Sequence, residues 1–471
     1  MWVNNFISNL RMNNNLYNYR TMRKFYFVLA AIMFVACSKN DPGLYSQPEP
    51  QNPYAVTPEE AVQMLQSVIG GETTRSISVS DIQTLSKSAF VPSTRSGADE
   101  EAIYIVDIEG KGSAIVSADK RMEPIYAILD DTKISAEQLV GVTTRSATDD
   151  ESDIEDFVFS LLGDAIVNDI QEVEQRGIEM PLIPRDQTWT ETTITARQTT
   201  MLNTKWAQEE PYNMKCPRKI STNPSYAGCG PIAAAQIMYY NRFPDYITYQ
   251  REDNTFAADW IDWNLIEGCE YGYPLLYDCM EELNELIYHI GVRMGVDYHL
   301  DDTNAIDPVT GEYKAPPTTN TPEQAETFFE NIGYSDVSLV NYSLMQVINM
   351  VSNKHLPVYM SGHYYNTNNP AQPLGHAWVI DGCDVYTVDY WVRHYIDGSI
   401  YTEYIENTQN FNLVHCNYGW SGKCDGYYTS GIFDTRTPLP ANRIDSAKGD
   451  IQHAGKENYD LLLQLITYSL N

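Results

Sequence analysis

The sequence predicts an α+β protein in two units, a small one near the amino terminus and a larger one occupying the carboxy-terminal half. Three observations predict this. Within 55–175 the apolar spacing switches between helical and strand periods. After 201 the helical signals come first and the strand signals last, the order of segregated α and β layers. Between the two regions, 181–200 is polar, Thr-rich and without a clear period, as a linker would be. A chain of 471 residues, 43% of them hydrophobic, is long enough for two or three packed domains.

The first element is an address. Arg23 and Lys24 precede an apolar run from Phe25 to Ala36. That run is well short of the ~20 residues needed to cross a bilayer, and its basic start marks it as a signal peptide. Small residues followed by Cys37 resemble a bacterial lipobox, with cleavage after Ala36 and a lipid on Cys37; Phe34 departs from the usual Leu. Cleavage without lipidation is the alternative. We therefore expect a signal and lipobox region over 1–37, then a polar, Pro-rich tether over 38–54.

A helix is expected near 55–70, with Thr57 as N-cap, Pro58 in the first turn and Glu59 and Glu60 behind it. Strands are expected at 102–108 and 113–117, joined by the turn Glu109-Gly-Lys-Gly112. A second amphipathic helix spans 152–175. Three Thr-Arg-Ser triplets end at Ser76, Ser96 and Ser146 in polar stretches, as processing sites or as ordinary loop composition. The linker 181–200 is a natural place for a cut, at Arg197-Gln198 first and Arg185-Asp186 second. Beyond it come helices at 231–240 and 280–294, the latter with Leu283, Leu286, Ile287 and Ile290 on one face. Strands follow at 356–360, 376–380 and 412–415.

The formal net charge of −32 repels phosphate backbones and argues against a nucleic-acid partner. Eight cysteines contain no C-x-x-C pair and no zinc spacing, so neither metal nor cofactor is expected. Cys269 with Cys279, and Cys416 with Cys424, are the short-loop disulfide candidates, against buried free thiols.

The chemistry-bearing residues fall in four motifs. Gly228-Cys229-Gly230-Pro231 runs straight into an Ala-rich helix. Unpaired N–H groups and the helix dipole favour a thiolate there, and the thiolate is the nucleophile. The flanking glycines leave room for substrate backbone. Gly375-His376 opens an apolar strand and places an imidazole on a rigid element as base. Asn417 in Asn-Tyr-Gly-Trp-Ser-Gly can bond the far imidazole nitrogen and set its tautomer. Gln208 can join the Cys229 N–H in holding an oxyanion. Each residue alone has an ordinary structural explanation. Together the order Cys, His, Asn, with His376 about 150 positions after Cys229, matches papain-like proteases.

The region from about 201 onward resembles the streptopain-like C10 family of cysteine peptidases, in its Bacteroidetes form. The resemblance rests on Trp-x-Gln-x-x-Pro-Tyr-Asn at 206–213, Gly-Cys…Ala-Gln-Ile-Met at 228–238, Gly-Val-Asp-Tyr at 295–298 and Leu-Pro-Val-Tyr at 356–359. Gly-His-Ala-x-Val-Ile-Asp-Gly at 375–382 and Asn-x-Gly-Trp-x-Gly at 417–422 complete it. It implies a papain-like domain over 201–471, an inhibitory α+β pro-domain over 55–180, an activation linker over 181–200, and hydrolysis of protein or peptide substrates. Cys229 is carried over as nucleophile, His376 as base, Gln208 as oxyanion donor and Asn417 as the motif's Asn. Tyr418 replaces the usual Trp, Ser361 replaces a Gln, and 363–373 is expanded. The expected product is an exported, membrane-anchored endopeptidase zymogen. An amidase or transferase on the same scaffold, or a non-catalytic binding lipoprotein, are the alternatives.

Overall fold

Helix α1 (Pro58–Ile69) starts where Thr57 closes a capping box: the Glu60 N–H donates to its hydroxyl and the Thr57 N–H to the Glu60 carboxylate. The computed structural model describes residues 54–69, 77–91, 100–141, 154–176, 187–218, 224–250, 256–269, 277–298, 318–366, 369–396, 399–433 and 463–470. Cys37, the tether before Tyr54, the three Thr-Arg-Ser triplets and the Arg185-Asp186 junction lie outside them.

Four antiparallel strands follow α1: β1 (Val79–Ser86), β2 (Glu101–Ile108), β3 (Ser113–Ser117) and β4 (Ile125–Leu129). The last three are buried on both faces, which is why they read as near-continuous apolar runs. Ala61 and Leu65 of α1 cover one face, over Tyr104, Val106 and Val116. Helix α2 (Ile154–Arg176) covers the other with Phe157, Val158, Leu161 and Leu162.

The carboxy-terminal region contributes β5 (Gln187–Gln198), helix α3 (Cys229–Asn241), a small hairpin of β6 (Tyr246–Gln250) and β7 (Phe256–Trp260), and helices α4 (Tyr277–Met294) and α5 (Pro322–Asn331). Strands β8 (Ser335–Asn341), β9 (Val358–Asn366), β10 (Asn369–Ile396), β11 (Ser399–Asn417), β12 (Gly426–Thr429) and β13 (Gln464–Ser469) complete it. The α4 residues Leu283, Leu286, Ile287 and Ile290 are all buried, as their spacing predicts. The disulfide Cys269–Cys279 forms, whereas Cys416 and Cys424 remain thiols.

One sheet joins the two regions, in the order β1-β2-β3-β4-β12-β11-β10-β9-β13-β8. The junction is antiparallel pairing of β4 with β12, Tyr427 opposite Ile128. The segment read as an irregular linker is largely a strand. β5 pairs with β10 from Gln198 opposite Cys383 to Gln187 opposite Arg393. Its polar, exposed side chains hide it from a periodicity search, because backbone pairing rather than apolar burial holds it. Within 363–373 the described residues continue the β9–β10 pairing, with Pro373 opposite Tyr365 and Asn369 opposite Asn366. Among the described residues, no helix is long and apolar enough to cross a membrane.

Candidate active site

Cys229 is the first residue of α3, behind Gly228 at φ 94°. The space beside Gly230 is already filled: a Cβ there would lie 2.2 Å from Asn320 Oδ1. That glycine serves packing against Asn320, not the approach of substrate. Along α3 the residues from Gly230 to Met238 are all buried, which fixes the helix and the half-buried cysteine at its start.

His376 stands on β10, opposite Gly362 of β9 and between central strands of the sheet. Its Nε2 lies 2.9 Å from the carbonyl oxygen of Tyr418. A carbonyl only accepts, so Nε2 carries the proton in the neutral imidazole and Nδ1 is the basic nitrogen. Four rings surround the imidazole: Trp378 at 6.2 Å, Tyr418 at 6.0 Å, Trp420 at 6.3 Å and Phe157 at 6.1 Å between centroids. Burial in this cage pushes His376 down to about 4, only partly offset by the Tyr418 carbonyl.

Asn417 behaves differently from the expectation that it would bond the imidazole. Its Nδ2 donates to the Thr204 carbonyl at 2.8 Å, and its Oδ1 accepts from the Gly419 N–H at 3.1 Å. The imidazole partner is instead the backbone of the next residue. Asn417 thus pins the turn that presents the Tyr418 carbonyl. The Thr204 hydroxyl in turn donates to Gln236 of α3, tying this turn to the cysteine's helix. Gly419 closes the contact from the other side: a Cβ on it would be 2.8 Å from Ile232 Cγ2, one turn beyond Cys229.

Gln208 is buried, and its carbonyl accepts the Ala227 N–H at 2.8 Å, two residues before Cys229. The same loop reaches the Asn417 turn through Ser421 N–H to the Trp206 carbonyl at 3.1 Å. Gln208 is thus joined to the segment leading into Cys229, while Asn417 and His376 are joined through the Tyr418–Gly419 turn, which packs on Ile232 of the same helix α3.

The site has features no sequence motif named. Phe157, from α2 of the amino-terminal region, also packs edge-on to Trp378 at 5.8 Å. Beside it Lys423 pairs with Glu155 at 3.2 Å. Further along the same boundary the Cys424 N–H donates to Thr132 Oγ1 at 2.8 Å, and the Asp130 N–H to the Asp425 carbonyl at 2.9 Å. Buried His415 bridges two carboxylates, Asp381 at 2.6 Å and Asp130 at 3.2 Å. Burial alone would depress His415, but the two carboxylates push it up to about 10. Burial works against the Asp130 charge as well, yet His415 and Lys111 hold that carboxyl down to about 2. The signal that could have found Phe157 is weak, since one apolar residue of an amphipathic helix looks like any core residue.

A helix-borne cysteine, a sheet-borne histidine with a fixed tautomer and an α+β scaffold define a cysteine-type peptidase of papain-like fold. Residues 206–428, which include Gln208, Cys229, His376 and Asn417, match the model of the peptidase C10 family. Two solved structures are similar to the chain. A fragment of prointerpain A from Prevotella intermedia is 16% identical, covering 82% of this chain and 98% of that one at a TM-score of 0.46. The active wild-type interpain A cysteine protease of the same organism is 20% identical, covering 58% and 95% at a TM-score of 0.36. No curated protein matches the sequence.

Proposed function

We propose that the chain is an exported, lipid-anchored cysteine endopeptidase made as a latent precursor. The observation that carries this reading is His376, held by the Tyr418 carbonyl near the start of the Cys229 helix and capped by Phe157 from the amino-terminal region. In this reading His376 takes the Cys229 proton and the thiolate attacks the carbonyl carbon of a peptide bond. The resulting oxyanion is held by the Cys229 N–H and the Gln208 amide. Collapse expels the amine, which receives its proton from His376, and leaves a thioester. Water, deprotonated by His376, then releases the acid and restores the thiol.

Residues 55–180 act as the pro-domain. An imidazole at about 4 stays neutral near pH 7, so the covered site lacks a base able to hold the thiol proton. Release of Phe157 lets water reach the imidazole and restores its basicity. Cleavage within 181–200 separates the two regions. Arg197-Gln198 sits in β5, with Arg197 held by Asp384 at 2.8 Å, so a cut there requires β5 to lift from β10. Cys37 carries the lipid, 38–54 is the tether, and substrates are proteins or peptides.

The test is to purify residues 38–471 and follow mass and peptidase activity over time. Activity is expected to rise as the amino-terminal mass is lost, and Cys229→Ala and His376→Ala are expected to fold and remain inactive, down by several orders of magnitude. Normal hydrolysis by Cys229→Ala would overturn the assignment. In cells, Cys37→Ser is expected to move the protein from the membrane to the soluble fraction, and unchanged membrane association counts against the anchor.

A further inference from the structure

The group that orients His376 is a backbone carbonyl, so whatever fixes that peptide fixes the base. The Tyr418 carbonyl shares a peptide plane with the Gly419 N–H, which donates to Asn417 Oδ1. The preceding plane ends in the Tyr418 N–H, which donates to Asp425 Oδ1 at 2.8 Å. The turn is therefore gripped twice, by the residue that opens it and by a carboxylate arriving from the start of β12.

Asp425 is an unusual residue to bury. It is 7% exposed, and burial pushes its carboxyl up to about 7 against the opposing Tyr418 N–H and the charge of His415. A carboxyl kept in such a place costs stability unless its acceptor oxygen is needed. Here the oxygen takes a backbone N–H that a turn between two buried strands would otherwise leave unsatisfied.

We propose that Asp425 is a positioning residue for His376: it holds the Tyr418 peptide so that the carbonyl fixes the imidazole with the proton on Nε2 and the lone pair on Nδ1. The role needs an acceptor oxygen at that point, not a negative charge. It rests on the reading of His376 as the base. A carbonyl accepting from Nε2–H also stabilises the imidazolium, so a loosened turn lowers the basicity of His376 as well as misplacing it.

The experiment compares Asp425→Asn, Asp425→Ala and Asp425→Glu in the full chain, assayed after maturation and normalised by active-site titration. Asn retains an acceptor oxygen and is expected to keep kcat within about threefold of the parent. Ala is expected to lower kcat about 10–100-fold with KM nearly unchanged, and to move the alkaline limb of the kcat/KM profile about half a unit to lower pH. Glu, with its carboxylate one methylene out of place, is expected to resemble Ala and decides the matter if Ala does not fold. Parental kcat and pH profile in Ala or Glu would overturn the proposal. So would an Asn variant as slow as Ala, which would mean the charge matters rather than the acceptor. His376→Ala run alongside separates the two readings. If it is active, His376 is not the base; if it is inactive while Asp425→Ala or Asp425→Glu is normal, only the positioning role fails.

Discussion

Replacing Phe157 with Ala tests the link between the amino-terminal region and His376, the proposed base. The ring is 6% exposed and lies 6.1 Å from the imidazole. Removing a buried Phe ring costs ~3–5 kcal/mol of packing, here at the contact between α2 and the site. The second effect is on His376. Holding an imidazole at about 4 rather than 6.5 costs about 3.4 kcal/mol against charging it. At pH 6 roughly 1 in 100 such rings is protonated, against about three in four for an ordinary histidine. Trp378, Tyr418 and Trp420 stay in place when Phe157 goes, so only part of that factor is recovered, about tenfold. The sign follows from a depressed histidine: the closed form loses stability as pH falls from 6.5 towards 4, because the open form binds the extra proton. The assay is alkylation of Cys229 by iodoacetamide in the uncleaved precursor at pH 6, read by mass spectrometry with Cys229→Ala as blank. Phe157→Ala is expected to react about tenfold faster than the parent. Equal rates would refute the idea that this ring keeps His376 uncharged.

The alkaline side is governed by His415, which faces Asp381, Asp130 and the Tyr427 ring, with Asp425 and Lys111 close by. Asp381 stays beside His415 when β4 leaves β12, so docking gains only the Asp130 share of this rise, a contribution that is present at low pH and is lost as pH rises towards 10. Hydrogen exchange at 127–130, corrected for the intrinsic rate, is expected to show protection falling over that window. Asp130→Asn should flatten the dependence and lower protection by about 1–2 kcal/mol, the carboxylate being about a third exposed and partly screened. Protection that is independent of pH, or unchanged in Asp130→Asn, would remove His415 from the interface energetics.

Much of the scaffold was legible because it is local. The capping box at Thr57 and Glu60, the apolar face of α4 and the buried runs of β2 and β3 each follow from spacing within a dozen residues. The candidate site was legible as four short motifs, and the fold ties Gln208 to the segment before Cys229 and Asn417 to the turn that holds His376. β1 and β5 were not legible, since neither presents a clean alternation of buried and exposed positions. The length of the β10–β11 hairpin was hidden for the same reason, its outer half being held by the pairing of β10 with β5.

The sequence by itself determined which residue types could do the chemistry, and where a thiol and an imidazole would sit on rigid elements. Only the tertiary structure decided what holds them. The imidazole partner is a backbone carbonyl, a group every residue possesses, so no side chain advertises it. Asp425 acts seven residues away through a peptide N–H, and Phe157 acts from another region of the chain altogether. His415, Asp381 and Asp130 are far apart in sequence and meet only where β4 joins β12. Spacing along the chain records contacts between neighbours. Contacts that close across a sheet depend on which strands pair, and that is settled by the burial and hydrogen bonding of the whole molecule at once.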